Sequence, residues 1–305
     1  MNEPPVQNIS APQLPGWARP KGPIPQEDNA AFYAGAALGA LDPCARSETS
    51  FSGLWRSRLA LAAAAAQMRM MGRRETEAEL RDAIALRTNG DEVDGPAGGV
   101  LNAWRQLAKG SAAGLVTLIG PTARQLGLNL GDELNALAAI ATRAAADNRA
   151  PLHAVAELVA EVRRAHPRAD FLGLWIADAV LAYKLRWPIP LPLLVTGLAQ
   201  QRGRIAPGSE FGRICAAYAV AAAAAIDLHQ DLARRTAVLI ETAPSLRAKG
   251  ATAVVNALLD DDAIAPGACI GGMSDRGMRR LCDRLVTLGV ARELTGRHVF
   301  RLYGL

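Results

Sequence analysis

Along most of this chain apolar residues recur every three or four positions, the spacing of one helix face. Residues 29–41 predict a first helix, closed by Asp42-Pro43. A second covers 54–71, with Leu54, Arg58, Leu61, Ala65 and Met68 on one line and Gly72 interrupting it. Residues 73–82 begin a third, whose mixed charges at i,i+4 spacing read as a solvated face. A short helix is expected over 100–108, glycines and Pro121 break the stretch 110–131, and 132–148 predict an alanine-rich helix. Residues 151–165 carry Leu152, Val155, Val159 and Val162 at helical spacing. Pro151 suits the first helical position, where its missing N–H would have no partner. Residues 171–186 are apolar nearly all round, and a helix without a polar face belongs in the middle of a bundle. One long helix follows over 211–240, while 89–99 and 201–208 read as loops.

The pattern changes after residue 246. Val254, Val255, Leu258 and Leu259 mark a helix that stops at Asp260-Asp261-Asp262, and 264–272 hold a short helix or a turn. Ser274 is a good N-cap for a helix running to 288, with Met273 and Met278 as its hydrophobic staple. Met278, Leu281, Leu285 and Leu288 form the buried stripe of that helix. Arg276, Arg279, Arg280, Asp283, Arg284 and Thr287 form its outer face, and Gly289 ends it. Two alternating runs, 290–295 and 298–303, are joined by Gly296-Arg297, which suits a type II′ hairpin. Helix, helix, arginine-rich helix and hairpin in that order predict a winged helix-turn-helix. Arg279 and Arg280 are then expected in the major groove and Arg276 and Arg284 on phosphates or bases. Arg297 would sit at the wing tip, reaching backbone or minor groove. Asp275 and Asp283 blunt the basic face, and the alternative reading is a winged helix used for dimerisation or protein contact.

Composition narrows this picture. Apolar residues make up 50% of the chain, much of it alanine, and aromatics only 5%, which favours a mainly α protein. A net charge of +5 permits nucleic-acid contact without demanding it. Cys44, Cys215, Cys269 and Cys282 form no Cys-x-x-Cys pair, so no zinc site, disulfide framework or cofactor is expected. Residues 1–28, rich in proline, are expected as a disordered tail in which Trp17 acts as a packing peg. The remaining divisions expected are a helical region over 29–110, a helical core over 111–240 and the winged helix over 246–305. Residues 214–226 are too short an apolar run for a bilayer and no leader is visible, so a cytoplasmic protein is expected, with no membrane.

Two resemblances add to this reading. His166-Pro167-Arg168-Ala169-Asp170, leading into a buried helix, resembles the Fic family (filamentation induced by cyclic AMP), whose motif is His-Pro-Phe-x-Asp/Glu-Gly-Asn-Gly-Arg. The resemblance implies a Fic-like helical bundle in which His166 is the general base and Asp170 the metal-holding acid of a nucleotide transferase. Phe171 replaces the first glycine, Leu172 the phosphate-binding asparagine and Leu174 the arginine. A base without its phosphate cradle has little to attack, because such transfers depend on stabilising spreading negative charge. His166 and Asp170 are therefore read as vestigial. The segment 288–297 also resembles C-terminal domains of Fic proteins and bacterial regulators. Over nearly its full length the chain is similar to a bacterial family filed as domain of unknown function 1403. That likeness rests on Gly16-Trp17-Ala18-Arg19-Pro20, Gly72-Arg73-Arg74-Glu75 and Phe300-Arg301-Leu302-Tyr303-Gly304-Leu305. The expected function is a non-catalytic Fic-like regulator, of transcription or of a replicon, that binds double-stranded DNA, with a homodimer as a further expectation. The alternatives are a residual transferase using His166 and an interaction module without DNA binding.

Overall fold

The computed structural model describes residues 13–24, 26–85, 95–201, 208–296 and 301–305. It is mainly helical. The α-helices are α1 (Glu27–Arg46), α2 (Ser52–Met70), α3 (Glu77–Ala85), α4 (Pro96–Lys109), α5 (Leu115–Gln125) and α6 (Glu133–Ala146). They continue with α7 (Pro151–Ala165), α8 (Asp170–Leu185), α9 (Leu194–Gln201), α10 (Glu210–Thr242), α11 (Ala251–Asp260) and α12 (Asp275–Thr287). Two short strands, β1 (Arg292–Glu293) and β2 (Tyr303–Gly304), pair antiparallel. A continuous core runs from Leu14 to Leu305.

Helix α8 takes the central place its composition predicts. Every residue from Leu172 to Ala182 is buried, beneath α4, α5, α6, α7 and α9. Buried tryptophans tie neighbouring helices together, because an indole N–H taken into a core needs an acceptor. Trp55 of α2 donates to the Ala225 carbonyl of α10 at 3.0 Å, Trp104 of α4 to Gln67 of α2 at 2.8 Å, and Trp175 of α8 to the Ala103 carbonyl of α4 at 3.0 Å. Asp178 of α8 is buried as well. It accepts the amides of Leu193 (2.9 Å) and Leu194 (3.1 Å), which open α9, and the hydroxyl of Tyr218 on α10 at 3.0 Å. One carboxylate thus meets orphan donors of a helix start and fastens three helices.

Helix α9 packs closely on α10 at Gly197. A Cβ on Gly197 would lie 2.1 Å from the Ala217 carbonyl oxygen, and backbone cannot swing aside as a side chain does. Gly197→Ala is expected to cost about 3 kcal/mol, the upper range for overpacking. A urea unfolding midpoint that stays put would contradict this contact.

Several expectations are corrected. Helix α1 runs through Pro43 rather than ending before it. The carbonyl that loses its donor belongs to Gly39, which is exposed to solvent and has no side chain to crowd the ring. Likewise α5 contains Pro121, four residues after the exposed Thr117, so the stretch expected to be broken holds a helix. The tail expected to be disordered is packed over 13–24: Leu14, Ala18 and Ile24 are buried, and Arg19 clamps Asp227 of α10 at 2.8 Å. Trp17 is 67% exposed and meets Phe32 at 5.9 Å between ring centroids, so its neighbours are the pegs. The charges of 73–82 are not all solvated. Arg81, on α3, reaches the fully buried Asp262, which Arg58 of α2 also contacts.

Among the described residues one helix, Glu210–Ser245, is long and apolar enough to cross a membrane. Its apolar window is 67% buried in protein, as expected of a core helix. The expected loop at 201–208 lies mostly outside the described residues, as does most of the loop at 89–99.

Candidate functional site

Two places hold the residues singled out from the sequence. The first is the turn between α7 and α8. Pro151 opens α7 as expected, and His166 caps its end, its amide donating to the Val162 carbonyl at 2.7 Å. Residues Pro167–Ala169 make a single 3-10 turn, and Asp170 opens α8. The turn therefore joins two packed helices. Its side chains are committed elsewhere. Arg163 holds the Asp170 carboxylate at 2.7 Å and also pairs with Glu210 of α10. His166 Nδ1 is buried without a hydrogen-bond partner, with the nearest acid, Glu133, at 4.0 Å. Leu172 and Leu174 are wholly buried, and Gly173 sits against Val162 of α7. These positions pack one helix on the next.

The second place is the C-terminal segment. Helix α11 is followed by Ile264, whose amide donates to the Tyr303 carbonyl at 2.8 Å and whose carbonyl accepts from Tyr303 at 3.0 Å. Two 3-10 turns, Pro266–Ala268 and Ile270–Gly272, then lead to α12. Ser274 caps α12 by accepting from the Gly277 amide at 3.2 Å, and Gly289 adopts φ 73° past its end. Met278, Leu281 and Leu285 are buried as predicted. Cys282 completes the stripe, whereas Leu288 is 37% exposed because the helix has already ended.

The outer face of α12 presents Arg276, Arg279, Arg280 and Arg284, all exposed. The acids between them are drawn aside. Asp275 accepts from Arg279 Nε at 2.9 Å, and Asp283 accepts from the Tyr303 hydroxyl at 2.9 Å, with Arg301 at 3.6 Å. Arg276, Arg280 and Arg284 have no ion pair or hydrogen bond among the described residues. They stand one helical turn apart, so three free guanidinium groups line about 12 Å of the helix. Sequence alone ranked Arg279 with Arg280. The i,i+4 relation of Asp275 to Arg279 was the available signal that the two differ. Arg297 lies outside the described residues.

The hairpin register also departs from expectation. A two-residue turn at Gly296-Arg297 would pair Arg292 with Arg301, yet Arg292 faces Gly304 and Glu293 faces Tyr303, a slip of three residues. Tyr303 is held on its other edge by Ile264 and through its hydroxyl by Asp283, and those contacts outweigh the local turn preference.

What the fold defines is a mainly helical protein whose last segment orders a helix, a bridging residue, two turns, an arginine-faced helix and a paired strand end. The chain belongs to the family described as protein of unknown function DUF1403, which it matches over residues 5–305. No curated protein and no solved structure gives a significant match.

Proposed function

We propose that this protein is a DNA-binding regulator, a Fic-like helical body without catalytic activity that carries a winged helix-turn-helix over residues 246–305. The carrying observation is the line Arg276, Arg280 and Arg284 on the exposed face of α12, free of the acids beside it. Guanidinium forks suit phosphates and guanine edges, and a lone helix face of this kind fits the width of a major groove. The order of elements supports the reading too. The isolated bridge of Ile264 to Tyr303, on the side opposite Glu293, supports it as well, since a winged helix places a short sheet behind its recognition helix. In this reading Arg279, tethered to Asp275, orients the helix more than it contacts DNA. The burial of Leu172 and Leu174 supports a body that has lost nucleotide transfer.

The test is fluorescence anisotropy of a labelled mixed-sequence duplex between low and moderate salt. Affinity should fall steeply with salt, by a log–log slope of about 0.9 for each phosphate neutralised. The pair Arg280→Ala and Arg284→Ala should weaken binding by about tenfold or more and flatten that slope by one to two units, roughly one for each phosphate contact removed. Arg279→Ala should matter less. Unchanged binding in the double variant removes the recognition-helix assignment.

A further inference from the structure

A second basic feature lies away from the α12 face, where the helical body meets α11. The first turns of α2, the end of α4 and the end of α11 line a partly open cavity of about 200 Å³. Its wall contains Gly53, Arg56, Ser57, Arg105, Lys109 and Asp260. A Cβ on Gly53 would lie 2.3 Å from Asp260 Oδ1, so the α11 end closes on α2 only because that residue is glycine.

The charges around this cavity are unequal. Three cations line it against one carboxylate. The acids that pair with its arginines stand outside the lining: Glu48 takes Arg56 at 2.8 Å, and Asp261 takes Arg105 Nη2 at 3.1 Å. Lys109 has no partner among the described residues. Arg105 is mostly buried, with a side-chain exposure of 17%. Ser57, 2% exposed, adds a hydroxyl to the same wall. A lysine complementing the C-terminal end of α4 accounts for Lys109 but not for a cavity lined by three cations.

We infer that this cavity binds a small oxyanion, a phosphate group or a carboxylate, held by Arg105, Lys109 and Arg56. An oxyanion offers several acceptor lone pairs to a wall of three cations, and charge-assisted bonds of this kind are the strong ones. The neighbouring run Asp260-Asp261-Asp262 joins α11 to the body, each acid facing a different part of it: the cavity, Arg105, and Arg58 with Arg81. An anion that engages Arg105 competes with Asp261, which puts the ligand at the joint between the body and the arginine-faced segment. This inference does not rest on DNA binding.

The experiment is isothermal titration calorimetry on the full chain, with inorganic phosphate and, separately, acetate, at ionic strength held constant with chloride. Saturable one-to-one binding is expected for at least one of them, and the tighter of the two assigns the ligand class. Lys109→Ala, an exposed position whose loss leaves the fold intact, should weaken binding by about tenfold, the worth of one strong charge-assisted contact. Asp260→Asn, which removes the one lining carboxylate, should strengthen it. Arg105→Gln should abolish binding, with circular dichroism confirming that the chain remains folded. Absence of saturable heat in the unmodified protein, or affinities equal in Lys109→Ala, Asp260→Asn and the unmodified chain, overturns the inference.

Discussion

Replacing Asp262 with alanine is expected to destabilise the protein by about 3–5 kcal/mol, the range for breaking a buried ion pair by removing one partner. Asp262 is 0% exposed and stands between two guanidinium groups, Arg58 from α2 and Arg81 from α3. Burial is the main cause that lowers the pKa of Arg58, the neighbouring Arg81 adds to it, and the Asp262 carboxylate is the largest opposing influence. Without that carboxylate, two cations face each other inside the protein. Arg58 also donates to the Leu305 carbonyl at 2.9 Å, so the disturbance reaches the strand end and Tyr303 beside it. Urea unfolding monitored by circular dichroism measures the loss as a fall in midpoint. As a control, Arg73→Ala removes an exposed partner of Glu75 and should leave the midpoint where it was. A drop of less than about 1 kcal/mol for Asp262→Ala would show that the charges are solvated after all. Replacing all three residues with apolar ones of similar volume is a different experiment. It is expected to be far milder, since desolvation opposes the attraction within the buried cluster.

The same cluster shows where sequence reading stops. Helical periodicity is local, so α2, α7, α8 and α10 stand within two residues of their expected bounds, and the turn at Pro167 joins packed helices as anticipated. The N-cap at Ser274 and the stop at Gly289 follow from neighbouring residues and hold. Arg81 sits in a run of alternating charges that any local rule assigns to solvent, yet its partner lies 181 positions further on. Pro43 breaks a helix by local rules, and only the exposure of Gly39 in the folded chain relieves it. The hairpin register fails for the same reason, since Ile264 and Asp283, both distant in sequence, fix Tyr303. At the arginine face the i,i+4 pairing of Asp275 with Arg279 was legible, but the turning away of Asp283 was not, since it depends on a tyrosine hydroxyl arriving from the last strand. At the His166 turn the motif letters were visible, while the Arg163–Asp170 pair that engages the acid joins positions seven residues apart across the turn.

Asp178 provides the other large expected effect, and it depends on pH. Its carboxylate is 1% exposed and accepts the Leu193 and Leu194 amides and the Tyr218 hydroxyl. Burial pushes its pKa up to about 7, and the three donors pull it back only in part. Asp178→Ala leaves those donors buried without an acceptor, and a loss of about 3 kcal/mol or more is expected at acidic and neutral pH alike. The pH dependence is tested with Asp178→Asn, which keeps an acceptor and cannot ionise. An acid whose folded pKa lies above its unfolded value of about 4 binds its proton more tightly in the native state. Its stabilising contribution is therefore complete below pH of about 4 and is lost as pH rises through about 7, at up to roughly 1.4 kcal/mol per unit. Subtracting the unfolding free energies of Asp178→Asn from those of the unmodified chain isolates this slope, because other titrations are common to both. The difference should favour the unmodified chain most near pH 5 and shrink, or change sign, by pH 8. A difference that stays flat from pH 5 to 8 would mean that Asp178 is ionised throughout. The three donors, rather than burial, would then govern its charge.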